Sequence, residues 1–351
     1  MNFLNYLFPH YVQHVLLVAT HQCNSRCLMC NIWQEHNFSQ EMSLDEIKNV
    51  FAQDRFSRME TISFSGGEAM TRPDLVEIIK YFLETKKRLK NILVATNGLA
   101  PDLILEKLQQ IFAYIKENKL KTQVWVQISC DGVNEVVDEI RGVPGAFQKI
   151  NSLINELNKL KSEQCNLHVK VVFLTLPANV EQLEKITDYA KNKNIGCQIS
   201  HLYLSREYYK NDENDKRLNL SGDQVNRIIE FLKGKKKQSI PDYYYNSLVR
   251  NMYLGENRKD DCLFLSPRGV FVEANGEVSF CMHSQGLSLG NLKENPTKDF
   301  WHGQEYRKKR KLVVKECCQN CKNSCGFNLT NFPKNFLRVL WQNLKNRNKK
   351  F

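Results

Sequence analysis

No stretch of this 351-residue chain approaches eighteen consecutive apolar residues, so no transmembrane helix is expected. The N-terminus supplies no secretory signal either. Residues Met1 to Thr20 lack a basic leading segment and a small-residue cleavage site, and their apolar stretch is short. Cysteine is too scarce for a secreted disulfide scaffold. There are 12, about 3% of the chain, and most fall in two clusters instead of being spread. Clustered cysteines favour metal binding in a reducing compartment, so the expected location is cytoplasmic. Internal repeats and low-complexity tracts are absent. Acid is missing from the last stretch: Asn331 to Phe351 carries Lys334, Arg338, Lys345, Arg347, Lys349 and Lys350 and no Asp or Glu.

What is present suits a globular protein, with 42% hydrophobic and 25% charged residues and length for one large domain plus a small one. The net charge is +12, and a second basic cluster runs from Arg307 to Lys311. Such a surface attracts an acidic electron donor, an acidic substrate, nucleic acid or anionic lipid; a solvated face with no dedicated partner explains it equally well.

The first two hundred residues alternate β-like runs with helical patterns. Strands are expected at 14–20, 60–64, 91–95, 123–129, 167–174 and 195–200, and helices at 43–53, 73–86, 101–117, 146–161 and 179–192. Ser43 and Glu46 have capping-box spacing, and Pro73 and Pro101 suit first helical turns. This alternation predicts an α/β fold of parallel βαβ units, a partial (β/α)6 TIM-like barrel over 1–205, with its site at the strand C-terminal ends. Residues 206–260 read as a helical connector, with helices near 222–234 and 241–254. Residues 261–330 read as a small cysteine-rich α+β domain. Residues 331–351 form a basic amphipathic tail that packs on the domain or touches a membrane surface weakly.

Cys23, Cys27 and Cys30 form a C-x3-C-x2-C run just after the first strand. Three thiolates this close hold three irons of a four-iron cluster and leave the fourth open. A structural zinc knuckle is the plainer reading, but zinc sites favour paired C-x2-C or C/H spacings. Downstream, Ser65-Gly66-Gly67-Glu68, Thr96-Asn97-Gly98 and Ser129-Cys130-Asp131-Gly132 each close a strand, and Arg141 follows in Ile140-Arg141-Gly142. Glycines let the backbone approach a ligand, a carboxylate accepts from an amine, and an arginine pairs with a carboxylate.

Together these motifs resemble the radical S-adenosylmethionine (radical SAM) superfamily. The resemblance implies a [4Fe-4S] cluster on Cys23, Cys27 and Cys30 whose open iron binds S-adenosylmethionine, which is then cleaved reductively to a 5′-deoxyadenosyl radical. Met29 takes the family's usual apolar position before the third cysteine. Gly66, Gly67 and Glu68 match its GGE motif, although Ala69 replaces the usual proline. Asn97 would line the cavity, Ser129 would approach the cofactor's carboxylate or ribose, and Arg141 would pair with that carboxylate. The strand at 195–200 and His201 stand where relatives contact adenine.

The second cysteine set resembles the SPASM/twitch extension of that superfamily. Cys262 and Cys281 flank a predicted β-hairpin turning at Asn275-Gly276, and Cys317, Cys318, Cys321 and Cys325 follow. The spacing C-x2-C-x3-C falls short of the full two-cluster pattern. One auxiliary [4Fe-4S] cluster is expected, on Cys262, Cys281, Cys318 and Cys321, with Cys325 able to replace one of the last pair; a four-cysteine zinc site has similar grammar. Cys130, Cys165 and Cys197 are isolated, as small buried hydrophobes are. Some radical SAM epimerases return hydrogen from a cysteine, and Cys130 and Cys197 are near predicted strand ends.

The leading expectation is therefore a radical SAM oxidoreductase or C–H-modifying enzyme acting on a small molecule or peptide. A low-potential flavodoxin or ferredoxin would supply its electron. Because the barrel begins almost at once, no N-terminal leader-peptide-binding domain is expected, which favours a small molecule or a peptide delivered by a separate partner. RNA modification ranks second, since no RNA-binding module accompanies the charge. A non-catalytic iron–sulfur or zinc-binding protein ranks third.

Overall fold

A computed structural model describes residues 11–35, 37–202, 204–205, 207–211, 215–234, 262–265, 268–297, 300, 303–318 and 321. The expected helix at 241–254, Cys325 and the basic tail lie outside the described residues.

Six strands come first: β1 (His14–Thr20), β2 (Thr61–Gly66), β3 (Asn91–Thr96), β4 (Gln123–Ser129), β5 (Leu167–Thr175) and β6 (Gly196–His201). Each pairs in parallel with the next. The helices between them are α1 (Leu44–Phe51), α2 (Leu75–Thr85), α3 (Pro101–Glu117), α4 (Glu135–Arg141), α5 (Ala146–Glu163) and α6 (Leu183–Asn192), followed by α7 (Gly222–Gly234). This is the mixed α/β, largely parallel arrangement of a partial TIM-like barrel.

Local chemistry explains the boundaries. Ser43 Oγ accepts from the Glu46 amide at 3.3 Å, and Glu46 Oε2 accepts from the Ser43 amide at 2.8 Å, completing the capping box of α1. Pro101 opens α3 at its first turn. Pro73 does not open α2, which begins two residues later. Arg72 Nε holds the Asp74 carboxylate at 2.7 Å, so that carboxylate does not cap the helix. The short α4 was not expected; Gly142 closes it in the left-handed region at φ +62°. A Cβ at Gly142 would lie 2.4 Å from the Arg26 carbonyl, so a side chain there would push the cysteine loop away.

Alternation along the strands creates two faces. Val124, Val126 and Ile128 of β4 and Val169, Val171 and Phe173 of β5 pack into the core beneath the helices. The opposite face is only partly covered and turns into the barrel. Phe51, Phe56, Phe64 and Phe82 anchor the helical layer, with Phe51 and Phe82 ring centroids 5.0 Å apart.

The cysteine-rich segment extends this same sheet. β7 (Gly269–Val272) pairs in parallel with β1, and the antiparallel β8 (Glu277–Ser279) and β9 (Gly290–Asn291) complete the order β6-β5-β4-β3-β2-β1-β7-β8-β9. The expected hairpin is present, with Gly276 at φ +86° in its turn. A final helix, α8 (Gly303–Glu316), packs Tyr306 against Phe280. Among the described residues, no helix is long and apolar enough to cross a membrane.

Candidate active site

The C-terminal ends of β1 to β6 open onto a cavity of about 820 Å³. Cys23, Cys27 and Cys30 line it, as do Met29, Gly66, Gly67, Asn97, Ser129 and Arg141. Burial pushes the Cys23 thiol up to about 11 and the Cys30 thiol up to about 12, and each thiol of the loop sits within electrostatic reach of another. Bare thiolates are therefore disfavoured, and bound cationic irons would compensate them.

The loop is fixed from several directions. Its Arg26 and Leu28 amides donate to the Arg141 and Ile140 carbonyls at 2.9 and 2.8 Å. Ser25 Oγ donates to the Arg141 carbonyl at 3.0 Å and lies 3.0 Å from Cys27 Sγ. Asn97 Nδ2 donates to Asn24 Oδ1 at 2.7 Å and reaches Cys23 Sγ at 3.8 Å. Asn211 Nδ2 holds the Met29 carbonyl at 2.8 Å. On the far side His21 Nε2 meets Glu273 Oε2 at 3.1 Å, joining the loop to the end of β7.

Glu68 does not line the cavity. It is 1% exposed, with Oε2 accepting from the Asn97 amide at 2.6 Å and Oε1 from the Met70 amide at 3.0 Å. A carboxylate this buried needs such donors, so Glu68 acts on the site through Asn97. Gly66 and Gly67 do face the cavity. Their backbone hugs β1, and a Cβ on Gly67 would fall 2.4 Å from the Gln22 carbonyl.

Arg141 is buried, with one terminal nitrogen on Asp131 Oδ2 and the other 3.6 Å from Cys27 Sγ. Burial alone would lower its pKa, but Asp131 and the Cys27 thiol outweigh this and keep the guanidinium charged. Its Nε is buried without a hydrogen-bond partner. An orphaned charged donor on the cavity wall fits an acceptor supplied by a ligand, such as the carboxylate of S-adenosylmethionine. The donor set thus suits both groups: soft thiols for iron, a charged fork for an anion.

His201 and Cys197 also line the cavity, whereas Cys130 is buried in the core with Sγ donating to the Gly132 carbonyl at 3.3 Å. In the second cysteine set, burial pushes the Cys281 thiol up to about 12, and neighbouring Cys262 and Cys321 add to the rise. The Cys321 amide donates to the Cys318 carbonyl at 3.2 Å, closing the C-x2-C turn. Cys317 lies within reach of Cys321. Phe264, two residues after Cys262, and Met282, next to Cys281, line the same cavity as the N-terminal thiols.

The motif reading named Asp131 within the Ser129–Gly132 turn without giving it a role, although its Oδ1 also accepts from the Leu174 amide at 2.9 Å, and it missed the inward row Gln127, Lys170 and Gln198. Polar residues alternating within QVWVQIS and LHVKVVFL were the available signal, because a strand of a packed parallel core is apolar on both faces.

A family model described as the radical SAM superfamily matches residues 17–190, and one described as an iron-sulfur cluster-binding domain (SPASM) matches residues 262–326. The chain belongs to the radical SAM superfamily. Radical SAM relatives include the AdoMet-dependent heme synthase of Methanosarcina barkeri, 26% identical over 82% of this chain and 82% of that protein. The subtilosin biosynthesis protein AlbA of Bacillus subtilis is 29% identical over 53% of this chain and 38% of its own. Among solved structures, anSMEcpe with bound AdoMet and Kp18Cys peptide superposes with a TM-score of 0.61. It is 17% identical and covers 97% of this chain and 99% of that one, a likeness of fold. As a radical SAM enzyme with a SPASM segment, this protein takes a [4Fe-4S] cluster, S-adenosylmethionine and auxiliary iron–sulfur. A purely non-catalytic binding role is thereby set aside.

Proposed function

We propose that the protein abstracts hydrogen from a carbon of a small-molecule or peptide substrate held in the barrel cavity, assisted by one auxiliary cluster. One observation carries this reading: residues flanking Cys262 and Cys281 line the same cavity as Cys23, Cys27 and Cys30. When bound, the initiating cluster and S-adenosylmethionine supply a 5′-deoxyadenosyl radical. The chain does the rest. Cys23, Cys27 and Cys30 hold that cluster, Asn97 and Arg141 fix its loop, and Arg141, Ser129, Met29 and the Gly66-Gly67 backbone seat the cofactor. Glu68 positions Asn97. Cys262, Cys281, Cys318 and Cys321 hold the auxiliary cluster, with Cys325 as the alternate of the last pair. Held there, it would supply an electron acceptor or a ligating iron beside the substrate. A flavodoxin or ferredoxin of low potential delivers the first electron in the cytoplasm.

One relative is named for heme synthesis and one solved structure holds a peptide, so both substrate classes belong to the reading. The test is anaerobic reconstitution with iron and sulfide, followed by dithionite, S-adenosylmethionine and assay of 5′-deoxyadenosine. Two clusters predict roughly eight irons per chain. Cleavage that stops on Cys27→Ala supports the reading. Bound zinc, or a reducible cluster with no cleavage, overturns it.

A further inference from the structure

The inner face of β4 to β6 carries an ammonium group that no acid among the described residues answers. Lys170 stands beside Gln127 in the β4–β5 register, and both line the cavity. Lys170 Nζ donates to Gln198 Oε1 at 2.7 Å, and Gln198 Nε2 donates onward to Ser200 Oγ at 3.1 Å. Gln198 thus takes one of the three ammonium hydrogens. Among the described residues, no Asp or Glu lies near enough to act on Lys170, and burial draws its ammonium below the ordinary lysine value. The fold also makes room for this side chain. Gly196 lies opposite it on β6, and a Cβ there would come within 3.0 Å of the Lys170 Cβ.

The position separates Lys170 from the cofactor residues. Leu174 packs in one cluster with Met29, at the cysteine-loop end of the cavity. Lys170 is four residues earlier on the same strand, about 13 Å away at strand spacing. A group bound at Lys170 thus stands deeper along the strands than the cysteine loop, with apolar Val172 on the wall between. Arg141, beside Cys27, already offers a charged fork at the cofactor end.

We propose that Lys170, oriented by Gln198 and flanked by Gln127, recognises a carboxylate on the substrate. The enzyme then selects carboxylate-bearing substrates whose reacting carbon lies between Lys170 and the cysteine loop. The inference rests on the reading that substrate occupies this cavity. Lys170 is a specificity residue with no part in radical generation.

The test uses reconstituted holoenzyme saturated with S-adenosylmethionine, titrated with 2-naphthoate and with its neutral isostere 2-naphthamide. A charge-assisted contact predicts that naphthoate binds about tenfold or more tighter. Lys170→Met should remove that preference, and Lys170→Arg should retain it. Equal binding of the two probes to the wild type overturns the proposal, as does a preference that survives in Lys170→Met. The cofactor's carboxylate is the competing source of the same chemistry. A tenfold loss of S-adenosylmethionine affinity in Lys170→Met would assign the lysine to the cofactor and overturn the substrate role. Cluster absorbance and melting temperature report folding of both variants. Wild-type 5′-deoxyadenosine formation tests the reaction itself, so either inference can fail alone.

Discussion

At the scale of single residues, the site depends on a few contacts that allow no extra atom and no missing charge. Gly67 is one. Its missing side chain lets the backbone pass close to the His21 and Gln22 carbonyls, and a Cβ would lie 2.6 and 2.4 Å from them. Backbone cannot swing aside as a flexible side chain can, so Gly67→Ala must displace either the cysteine loop or the glycine turn. We expect at least a tenfold loss of 5′-deoxyadenosine formation, with weaker S-adenosylmethionine binding in an equilibrium titration. Asp131 is another. It is fully buried, bonded to the Arg141 guanidinium and to the Leu174 amide, and Arg141 in turn braces the loop through its carbonyl. Asp131→Ala strands a buried cation, a loss of about 3–5 kcal/mol. The melting temperature should fall by several degrees. A variant that melts with the wild type would show that Arg141 finds another partner.

At the scale of elements, most of the barrel was legible because each strand and helix carries its own local signal. The capping box at Ser43, the proline at 101 and the apolar alternation of β4 and β5 need no knowledge of distant residues. What escaped has a physical cause. Helix α4 is seven residues long and sits between glycines, too short for a periodic pattern. The row Gln127, Lys170 and Gln198 acquires meaning only once three separate strands fall into register. The contact between α1 and α2 is equally non-local. Lys86, at the C-terminal end of α2, is 5% exposed and donates through Nζ to the Phe51 carbonyl that ends α1. Burial pushes its ammonium down to about 8, from about 10.4 for a free lysine. Below pH 8 both folded and unfolded chains hold the proton, and the cost of burying it is fully present. Between about 8 and 10.4 the unfolded chain still binds a proton that the folded chain has released. Stability from this group therefore rises with pH across that window. The wild type should gain about 3 kcal/mol there relative to Lys86→Met, read as the difference between their denaturation midpoints at several pH values. Parallel pH profiles for the two proteins would refute it.

At the scale of the whole molecule, the C-terminal cysteine segment is a continuation of the barrel sheet and a brace for the site. Local motifs revealed that a second cysteine set existed, but its attachment did not follow from them. Parallel pairing of β7 with β1 spans more than two hundred residues, and neither strand's sequence names its partner. Three further ties run the same way. Glu273 holds His21, the Ala274 carbonyl accepts from the Met42 amide at 2.7 Å, and Arg55 donates to the Thr297 carbonyl at 2.8 Å. The consequence is testable by ending the chain after Gly234. That truncation removes β7 and bares the backbone of β1 from His14 to Leu17, an unpaired edge beside the apolar Val15 and Leu17. It also frees the cysteine loop from Glu273. The truncated chain should elute as soluble oligomers or aggregate on size exclusion. After reconstitution it should retain well under the roughly four irons of one cluster. A monomer that holds a full initiating cluster would show that the barrel closes its own edge. The auxiliary segment would then act on the site only through its own cluster and the cavity wall at Phe264 and Met282.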